Sequence, residues 1–396
     1  MVSALLSTYM PADLAFERGE GAYLFGTDGR RYLDFAAGIA VNALGHSHPK
    51  LVAALTEQGS KLWHCSNLYR IPGQERVAER LVANSFADRA FFCNSGAEAV
   101  ECGIKMIRKY YDDTGQPHRY RIICCNNGFH GRTMATISAG GQDKHTKGFE
   151  PLLDGFDHVA FGNLNELRAA VGSETAAILV EPIQGEGGVV VADADYMRGL
   201  RAVADEFGLL LFYDEVQCGM GRTGRLFAHE WAGVAPDVMA LAKGLGSGFP
   251  IGACLATERA ATGITPGSHG STFGGNPLAM AVANAVLDVM LADGFLENVR
   301  RTGALLKREL QRIAAQYPQI IQGVRGVGLM LGLECVVPNA VLQARLREAG
   351  LLTAGAGNNV IRVLPPLVIG EQQALEACGI LESVCADWRS RGDGQG

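Results

Sequence analysis

The feature that most constrains the fold is an alternation of short apolar runs with helical segments in the middle of the chain. The apolar runs include "RAFFCN", "RIICCN", "AAILVEPI" and "LLLFYDEV". Strands that are buried on both faces of a parallel sheet have this composition. The segments between them, such as "GAEAVECGIKMIRKYY" and "ADYMRGLRAVADEFG", have apolar residues at helical spacing and can form the crossovers. The sequence therefore predicts a doubly wound α/β domain with a mainly parallel sheet.

The segments on both sides of this alternation predict a second, smaller domain. Near the N-terminus, "GAYLFGTDGRRYLDFAAG" has two alternating stretches around a TDG turn, which predicts a β-hairpin over residues 22–35. Beyond residue 295 come a long amphipathic segment, two strand-like stretches and a closing helical segment. We therefore expect a large domain over 51–295, a small α+β domain over 296–396, and an N-terminal segment, 1–50, that packs with the small domain.

Composition excludes several classes of function. The formal net charge is −6, from 35 basic and 41 acidic residues, and no basic stripe is present, so nucleic acid and anionic membranes are not expected partners. No apolar run approaches the ~20 residues that span a bilayer, and the first residues do not have the pattern of a secretory signal. The ten cysteines contain no CxxC pair and lie mostly in apolar contexts, which indicates reduced, buried thiols. We expect a cytoplasmic protein without a metal site.

Polar residues stand where several of the apolar runs end. Asp214 ends "LLLFYD", Glu181 follows "AAILV", Asn94 follows "RAFFC", and Asn126 and Asn127 follow "RIICC". In an open parallel sheet, ligands bind outside the carboxyl ends of the strands, so these groups predict a ligand site at that edge. The alternative for Asp214 is a structural role as a helix cap or as the partner of a nearby arginine.

Two other segments indicate the kind of ligand. In "CNSGAEA", small residues at Gly96 and Ala97 precede a helix, and the free N–H groups of a helix N-terminus bind anions such as phosphate. The alternative is an ordinary N-cap with Glu98 in a capping box. In "MALAKGLGSGFPIGA", Lys243 lies among glycines and apolar residues, where desolvation lowers the pKa of a lysine and makes it a nucleophile toward carbonyls. The alternative is a solvated surface lysine.

A phosphate site, a strand-end aspartate and a desolvated lysine together indicate pyridoxal phosphate. This cofactor needs a lysine for its Schiff base and an acidic group at its pyridine nitrogen. A nucleotide-binding dehydrogenase is disfavoured, because no GxGxxG follows an early strand with an acidic residue ~20 positions later. A non-catalytic binding protein on the same fold is disfavoured by the joint presence of Lys243, Asp214 and Arg132.

The chain resembles the class III pyridoxal-phosphate-dependent aminotransferases of fold type I over essentially its whole length. The resemblance rests on eight motifs in order: "VNALGHSHP", "FCNSGAEA", "GFHGRT", "EPIQGEGG", "DEVQCGMGRTG", "AKGLGSGFPIGA", "STFGGNPLA" and "RVLPPL". It implies a homodimer with shared active sites. Within the family, these motifs are most similar to those of enzymes that transfer the 5-amino group of N2-acetylornithine to 2-oxoglutarate in arginine biosynthesis.

The resemblance also implies roles for individual residues around the cofactor. Lys243 would carry the Schiff base and move the substrate proton, and Asp214 would pair with the pyridine nitrogen. Phe129 would stack on the ring. The remaining residues of the cofactor site would be Gly96 and Ala97 at the phosphate, Gln217 at the ring hydroxyl, Val216 and Glu215 on the same segment, and Thr272 at the phosphate of the neighbouring subunit. Of these, Glu215 belongs to no chemical step and is interpreted as structural.

The substrate residues come from the same resemblance. Arg132 would bind the substrate's α-carboxylate, with Ser271 nearby, and Glu186 and Arg362 would form a gate that separates the two substrates. Ornithine aminotransferases have a tyrosine where this chain has Ile39, and the loss of that hydroxyl favours an N-acylated donor. Tyr9 is a candidate for the entrance. Succinylornithine, succinyldiaminopimelate, ornithine and 4-aminobutyrate remain alternative donors.

Overall fold

The computed structural model describes residues 4–390, and the side chains of residues 4–388. A seven-stranded sheet forms its centre. The strand order across the sheet is Arg89–Cys93, Gly252–Ala256, Val238–Leu241, Leu210–Asp214, Thr175–Val180, Arg121–Cys125 and Phe156–Val159. Gly252–Ala256 is antiparallel to both neighbours, and the other neighbouring pairs are parallel. The predicted doubly wound, mainly parallel sheet is therefore confirmed.

Both faces of this sheet are buried, which explains why its strands are continuously apolar. Along Leu210–Asp214, Leu210 and Phe212 pack into one apolar cluster with the helix Gly96–Asp113. Leu211 and Tyr213 pack on the other face, with the helix Ala194–Phe207. Alternate residues of a strand point to opposite faces of the sheet. A strand that is covered on both faces is therefore apolar along its length, except at its ends.

The helices that surround the sheets agree in most cases with the apolar spacing in the sequence. The segments "GAEAVECGIKMIRKYY" and "ADYMRGLRAVADEFG" form helices with nearly the expected ends, and the long amphipathic segment and the closing segment beyond residue 295 are also helical. The helices are Ala37–Ala40, Pro49–Gly59, Pro72–Ala83, Gly96–Asp113, Met134–Gly140, Asp143–Thr146, Leu164–Ala170, Ala194–Phe207, Glu258–Ala261, Pro277–Met290, Phe295–Gln316, Asn339–Glu348 and Glu371–Ser390, with 3₁₀ turns at Ala228–Trp231 and Lys243–Leu245. Among the described residues, no single helix is long and apolar enough to cross a membrane; Pro277–Met290 and Phe295–Gln316 meet the length and composition test only as a pair bent by 69°.

Smaller sheets join the two ends of the chain. The predicted hairpin is present as Tyr23–Gly26 and Arg31–Asp34, and Phe16–Glu20 extends it. Its last strand pairs in parallel with Leu351–Leu352, so the N-terminal strands share a sheet with the C-terminal region. A second sheet has the order Ile321–Val327, Met330–Cys335, Val360–Val363 and Ala354–Ala356, and a short ribbon pairs Ile183–Gln184 with Val190–Val191. The exact domain boundaries stay a prediction.

The strand register brings the polar strand ends together. Tyr213 lies opposite Val180 and Asp214 lies opposite Ala240. Glu181, Asp214 and the Ala242–Lys243 segment therefore leave three adjacent strands at the same edge of the sheet. All ten cysteines are free thiols, and nine of them are buried.

Candidate active site

A cavity of about 310 Å³ lies at the carboxyl edge of the central sheet. It is lined by the residues that follow several of its strands. These are Val41, Asn94, Ser95, Gly96, Ala97, Phe129, His130, Gly131, Glu181, Asp214, Val216, Gln217, Ala242, Lys243, Gly248, Phe249, Pro250 and Ile251. Lys243, Asp214, Gly96, Ala97, Phe129, Val216 and Gln217, which the sequence placed in one site, thus meet in one cavity.

Asp214 is a buried carboxylate with two partners. Its Oδ1 accepts a hydrogen bond from the Val216 N–H at 3.0 Å, and its Oδ2 lies 2.8 Å from His130 Nδ1. Burial alone would lower the pKa of His130, but the hydrogen bond and the charge of Asp214 outweigh burial and raise the pKa. The buried imidazole therefore stabilises the negative charge of the buried Asp214.

Lys243 faces the cavity in a setting that disfavours its charge. Desolvation is the main cause, and the positive charge of Arg362 adds to it, so the pKa of Lys243 is lowered to about 8. At pH 7.5 about a quarter of such amines are neutral, against about one in a thousand at the ordinary lysine pKa. Lys243 also has a positive φ of 43°, at the start of the 3₁₀ turn Lys243–Leu245. The structure thus places a desolvated lysine at the cavity, and its role as a nucleophile stays a prediction.

The N-terminus of the helix Gly96–Asp113 opens into the cavity. Ser95 is its N-cap: Ser95 Oγ accepts the Glu98 N–H at 3.2 Å, and Glu98 Oε2 accepts the Asn94 N–H and the Ser95 hydroxyl. The backbone donor to Glu98 is Asn94 and not the N-cap residue, so the N-cap is present without the reciprocal bond of a full capping box. The N–H groups of Gly96 and Ala97 have no hydrogen-bond partner among the described residues, as is usual in the first turn of a helix. A Cβ at Gly96 would lie 2.7 Å from Val216 Cγ1, so only glycine fits. This cradle has the backbone donors and the space that a phosphate needs.

The remaining cavity residues fit a flat aromatic ligand. Gln217 Oε1 is buried and has no hydrogen-bond partner among the described side chains and backbone groups. The Phe129 ring lies near two cationic or polar groups: its centroid is 5.6 Å from the His145 ring and 5.6 Å from Arg132 Cζ. The amine of Lys243, the carboxylate of Asp214, the orphaned oxygen of Gln217 and the helix N-terminus together match the chemical groups of pyridoxal phosphate.

Glu181 is a site residue to which the sequence assigned no role. Its Oε2 accepts the Phe129 N–H at 3.0 Å and its side chain lines the cavity. Burial is the dominant cause that raises the pKa of Glu181 to about 8, and the negative charge of Asp214 acts in the same direction. Both effects disfavour a second negative charge next to Asp214.

Glu215 does not reach the cavity. Its carboxylate accepts the N–H groups of Ala228 and His229 and lies 2.7 Å from His229 Nδ1. Glu215 thus holds the 3₁₀ turn Ala228–Trp231 against the strand end, which is the structural role that the sequence suggested. Its inclusion among the cofactor-binding residues has no contact in the structure to support it.

The predicted substrate residues lie around the mouth rather than in the cavity. Arg132 is exposed, with its guanidinium over Phe129. Ser271 Oγ accepts hydrogen bonds from Asn94 Nδ2 and from the Gly274 N–H, both at 3.1 Å, while Thr272 is exposed. The structure therefore brings Ser271 next to the Asn94 end of the site and leaves Thr272 outside the cavity of its own chain.

Glu186 and Arg362 form an ion pair. Arg362 Nη2 lies 2.9 Å from Glu186 Oε2 and donates to the Gly355 carbonyl at 2.7 Å. The Arg362 side chain is only 3% exposed, and its Nε and Nη1 have no partner among the described residues. Lys144 Nζ lies 3.4 Å from the other oxygen of Glu186, a contact that no sequence signal indicated.

Ile39 and Tyr9 lie outside the cavity lining. Ile39 is 42% exposed and belongs to the short turn Ala37–Ala40, in which all four residues have positive φ. Tyr9 is 86% exposed. Their suggested parts in substrate choice stay predictions.

His130 was also missed from the sequence. It was present in the quoted motif "GFHGRT", but its partner Asp214 is 84 positions away, and no local pattern links them. The signal that could have found it is general: a buried carboxylate needs a partner, and His130 follows Arg121–Cys125, a strand that ends at the same edge of the sheet.

Comparisons with known proteins agree with this geometry. Residues 7–385 match the model of the family described as aminotransferase class-III. The chain is 59% identical to the acetylornithine aminotransferase of Mesorhizobium japonicum over 375 residues, which cover 95% of this chain and 94% of that protein.

Two solved structures have the same architecture. The N-acetylornithine aminotransferase of Stenotrophomonas maltophilia has a TM-score of 0.85 and 39% identity, and the match covers 97% of this chain and 99% of that one. The ornithine aminotransferase of Toxoplasma gondii, whose active site holds pyridoxal phosphate at partial occupancy, has a TM-score of 0.94 and 31% identity, and the match covers 98% and 93%. The cavity with its lysine, aspartate and phosphate cradle, together with these matches, shows that the chain belongs to the class-III aminotransferase family.

Proposed function

We propose that the protein transfers the 5-amino group of N2-acetyl-L-ornithine to 2-oxoglutarate with pyridoxal phosphate as cofactor, as a cytoplasmic enzyme of arginine biosynthesis. The observation that carries the chemistry is that the desolvated amine of Lys243 and the buried carboxylate of Asp214 face the same cavity. The choice of donor is supported by relatives at 57–59% identity that are acetylornithine aminotransferases.

Pyridoxal phosphate, when bound, supplies an aldehyde that links covalently to amines and a ring that withdraws electrons from the attached carbon. The N–H groups of Gly96 and Ala97 would hold its phosphate, and the free Gln217 Oε1 would accept its ring hydroxyl. Phe129 would cover one face of the ring. Val216 would lie beside the phosphate cradle, since its side chain packs closely against Gly96.

Asp214 would keep a proton on the ring nitrogen. His130 would hold its second oxygen and the Val216 N–H its first, so the carboxylate stays in one orientation. Lys243 Nζ would hold the cofactor through its aldehyde group, and the same atom would remove and return the proton at the reacting carbon of the substrate. A pKa of about 8 suits both tasks, since a general base works best near the working pH.

The substrate residues would act on carboxylates. Arg132, exposed at the mouth, would bind the carboxylate distant from the reacting carbon, as a guanidinium can with two parallel hydrogen bonds. Ser271 would lie beside the substrate. While the donor is bound, Glu186 would pair with Arg362, because the reacting carbon of the donor bears no carboxylate. The carboxylate next to the reacting carbon of 2-oxoglutarate would then replace Glu186 on Arg362.

We also propose a homodimer in which Thr272 completes the phosphate site of the partner subunit. Thr272 is exposed and does not line the cavity of its own chain, which leaves it free for this role. Exposed apolar side chains on nearby segments, among them Phe273, Trp63 and Leu68, are suited to burial between two copies.

Ornithine is the second candidate donor, because the ornithine aminotransferase of Toxoplasma gondii superposes with a TM-score of 0.94. A steady-state panel of N2-acetylornithine, N2-succinylornithine, ornithine, succinyldiaminopimelate and 4-aminobutyrate, with glutamate formation as the readout, separates them. The proposal expects the highest kcat/KM for N2-acetylornithine. A higher value for ornithine would replace the donor and leave the aminotransferase chemistry intact, whereas a protein that binds the cofactor without turnover of any donor would be a binding protein.

A further inference from the structure

The carboxylate of Glu186 is shared between two cations of different burial. Oε2 lies 2.9 Å from Nη2 of the buried Arg362, and Oε1 lies 3.4 Å from Nζ of Lys144, which is 53% exposed. Burial tends to raise the pKa of Glu186, but Arg362 and then Lys144 outweigh it and lower the pKa, so the group is a carboxylate. Each oxygen therefore has its own cation.

The two proposed substrates require different partners for Arg362. A role for Lys144 that depends on these two substrates rests on the proposed function. The reacting carbon of the donor bears no carboxylate, while the reacting carbon of the acceptor is attached to one. A carboxylate that binds a guanidinium at two points must use Nη2, because Nε and Nη1 donate from different sides of the group. Glu186 occupies Nη2, so it must leave before the acceptor can bind there.

A released Glu186 needs another partner. Its side chain is only 25% exposed, and a charged group in such a place is costly without a counter-ion. Lys144 lies on the short helix Asp143–Thr146, next to His145, whose ring packs on Phe129 at the cavity. The alternative cation is thus already within reach at the mouth of the site.

We propose that Lys144 is a positioning residue for acceptor binding, which holds the Glu186 carboxylate when the acceptor takes Arg362. With the donor bound, Arg362 keeps Glu186 and the longer contact to Lys144 contributes little. With the acceptor bound, Lys144 is the remaining partner. Only a contact that differs between two states shifts the balance between them, so Lys144 affects the acceptor selectively.

The test compares Lys144→Met with Lys147→Met in the cofactor-loaded protein. Lys147 is exposed, lies just past the same helix and has no ion pair among the described residues, so its loss changes the net charge equally. The readouts are the Kd of glutarate, an unreactive dicarboxylate, by calorimetry, and the KM values of 2-oxoglutarate and N2-acetylornithine. Lys144→Met should weaken glutarate and raise the 2-oxoglutarate KM by about 2- to 5-fold, or ~0.4–1 kcal/mol at ~1.36 kcal/mol per decade. The donor KM should stay unchanged, and Lys147→Met should change none of the three.

A double-mutant cycle separates this role from simple attraction of a dianion. In a Glu186→Gln background there is no carboxylate to hold, so adding Lys144→Met should leave the glutarate Kd unchanged. An equal loss in both backgrounds, or an equal loss from Lys147→Met, would overturn the proposal. If the wild type transfers no amino group to 2-oxoglutarate, the proposed function fails instead, while the glutarate cycle still decides the role of Lys144.

Discussion

Gly96→Ala tests whether the phosphate cradle is built as the structure shows. The new Cβ would lie 2.7 Å from Val216 Cγ1 and 3.0 Å from Cγ2, where ordinary carbon contacts are ~3.5–4.0 Å. Relieving such overpacking costs about 1–3 kcal/mol. Because Val216 lies between Asp214 and Gln217, its displacement moves groups that face the cofactor. If the whole cost falls on cofactor binding, the Kd of pyridoxal phosphate rises by about 5- to 150-fold.

The assay is a titration of the apoprotein with pyridoxal phosphate, followed by visible absorbance. Gly379→Ala is the matched control, since Gly379 lies in the helix Glu371–Ser390 and a Cβ there meets nothing within 4 Å. The double variant Gly96→Ala/Val216→Ala should regain most of the affinity, because it removes both clashing methyl groups. Wild-type affinity in Gly96→Ala, or no recovery in the double variant, would refute the cradle.

Three further predictions concern the chemistry. Lys243→Ala should abolish turnover, borohydride should label Lys243 in the wild type, and the rate of covalent linkage should rise with pH up to about 8; a label on another lysine contradicts the assignment. Asp214→Asn should still bind the cofactor but slow proton removal by orders of magnitude in single-turnover experiments, whereas near-normal rates would make Asp214 a structural residue. Arg132→Lys should lower kcat/KM for N2-acetylornithine and ornithine alike, because one ammonium cannot make two parallel hydrogen bonds; an unchanged value would move the carboxylate site elsewhere.

The centre of the fold could be predicted because burial on both faces leaves a continuous apolar signal. Leu210–Asp214 and Thr175–Val180 show it most clearly. Gly252–Ala256 was not foreseen, since its small residues give a weak strand signal and its antiparallel direction depends on its neighbours. The left-handed turn Ala37–Ala40 was also beyond prediction, because alanine and isoleucine disfavour positive φ. There Asp34 Oδ1 accepts the N–H groups of Ala36 and Ala37, a tertiary anchor that local propensity does not show.

Some residues of the site could likewise be predicted from the sequence, and others could not. Lys243 and Asp214 could be found because each stands in a chemically unusual setting, a lysine among glycines and a carboxylate at the end of an apolar strand. His130 and Glu181 acquire their roles only through partners that the fold brings near. Lys144 has polar and charged neighbours in sequence, so nothing there distinguishes it from a surface lysine until its contact with Glu186 is seen.

The most direct test of the account is a pair of half-reactions on the cofactor-loaded wild type. N2-acetylornithine should bleach the visible absorbance of the bound cofactor, and 2-oxoglutarate should restore it. If Ile39 leaves the free α-ammonium of ornithine without the hydroxyl partner that a tyrosine would give, as the sequence predicts, ornithine should react with an efficiency at least ~100-fold lower, about 2.7 kcal/mol. Equal efficiency with ornithine would contradict the choice of an acylated donor, and absorbance that no amine changes would contradict the aminotransferase itself.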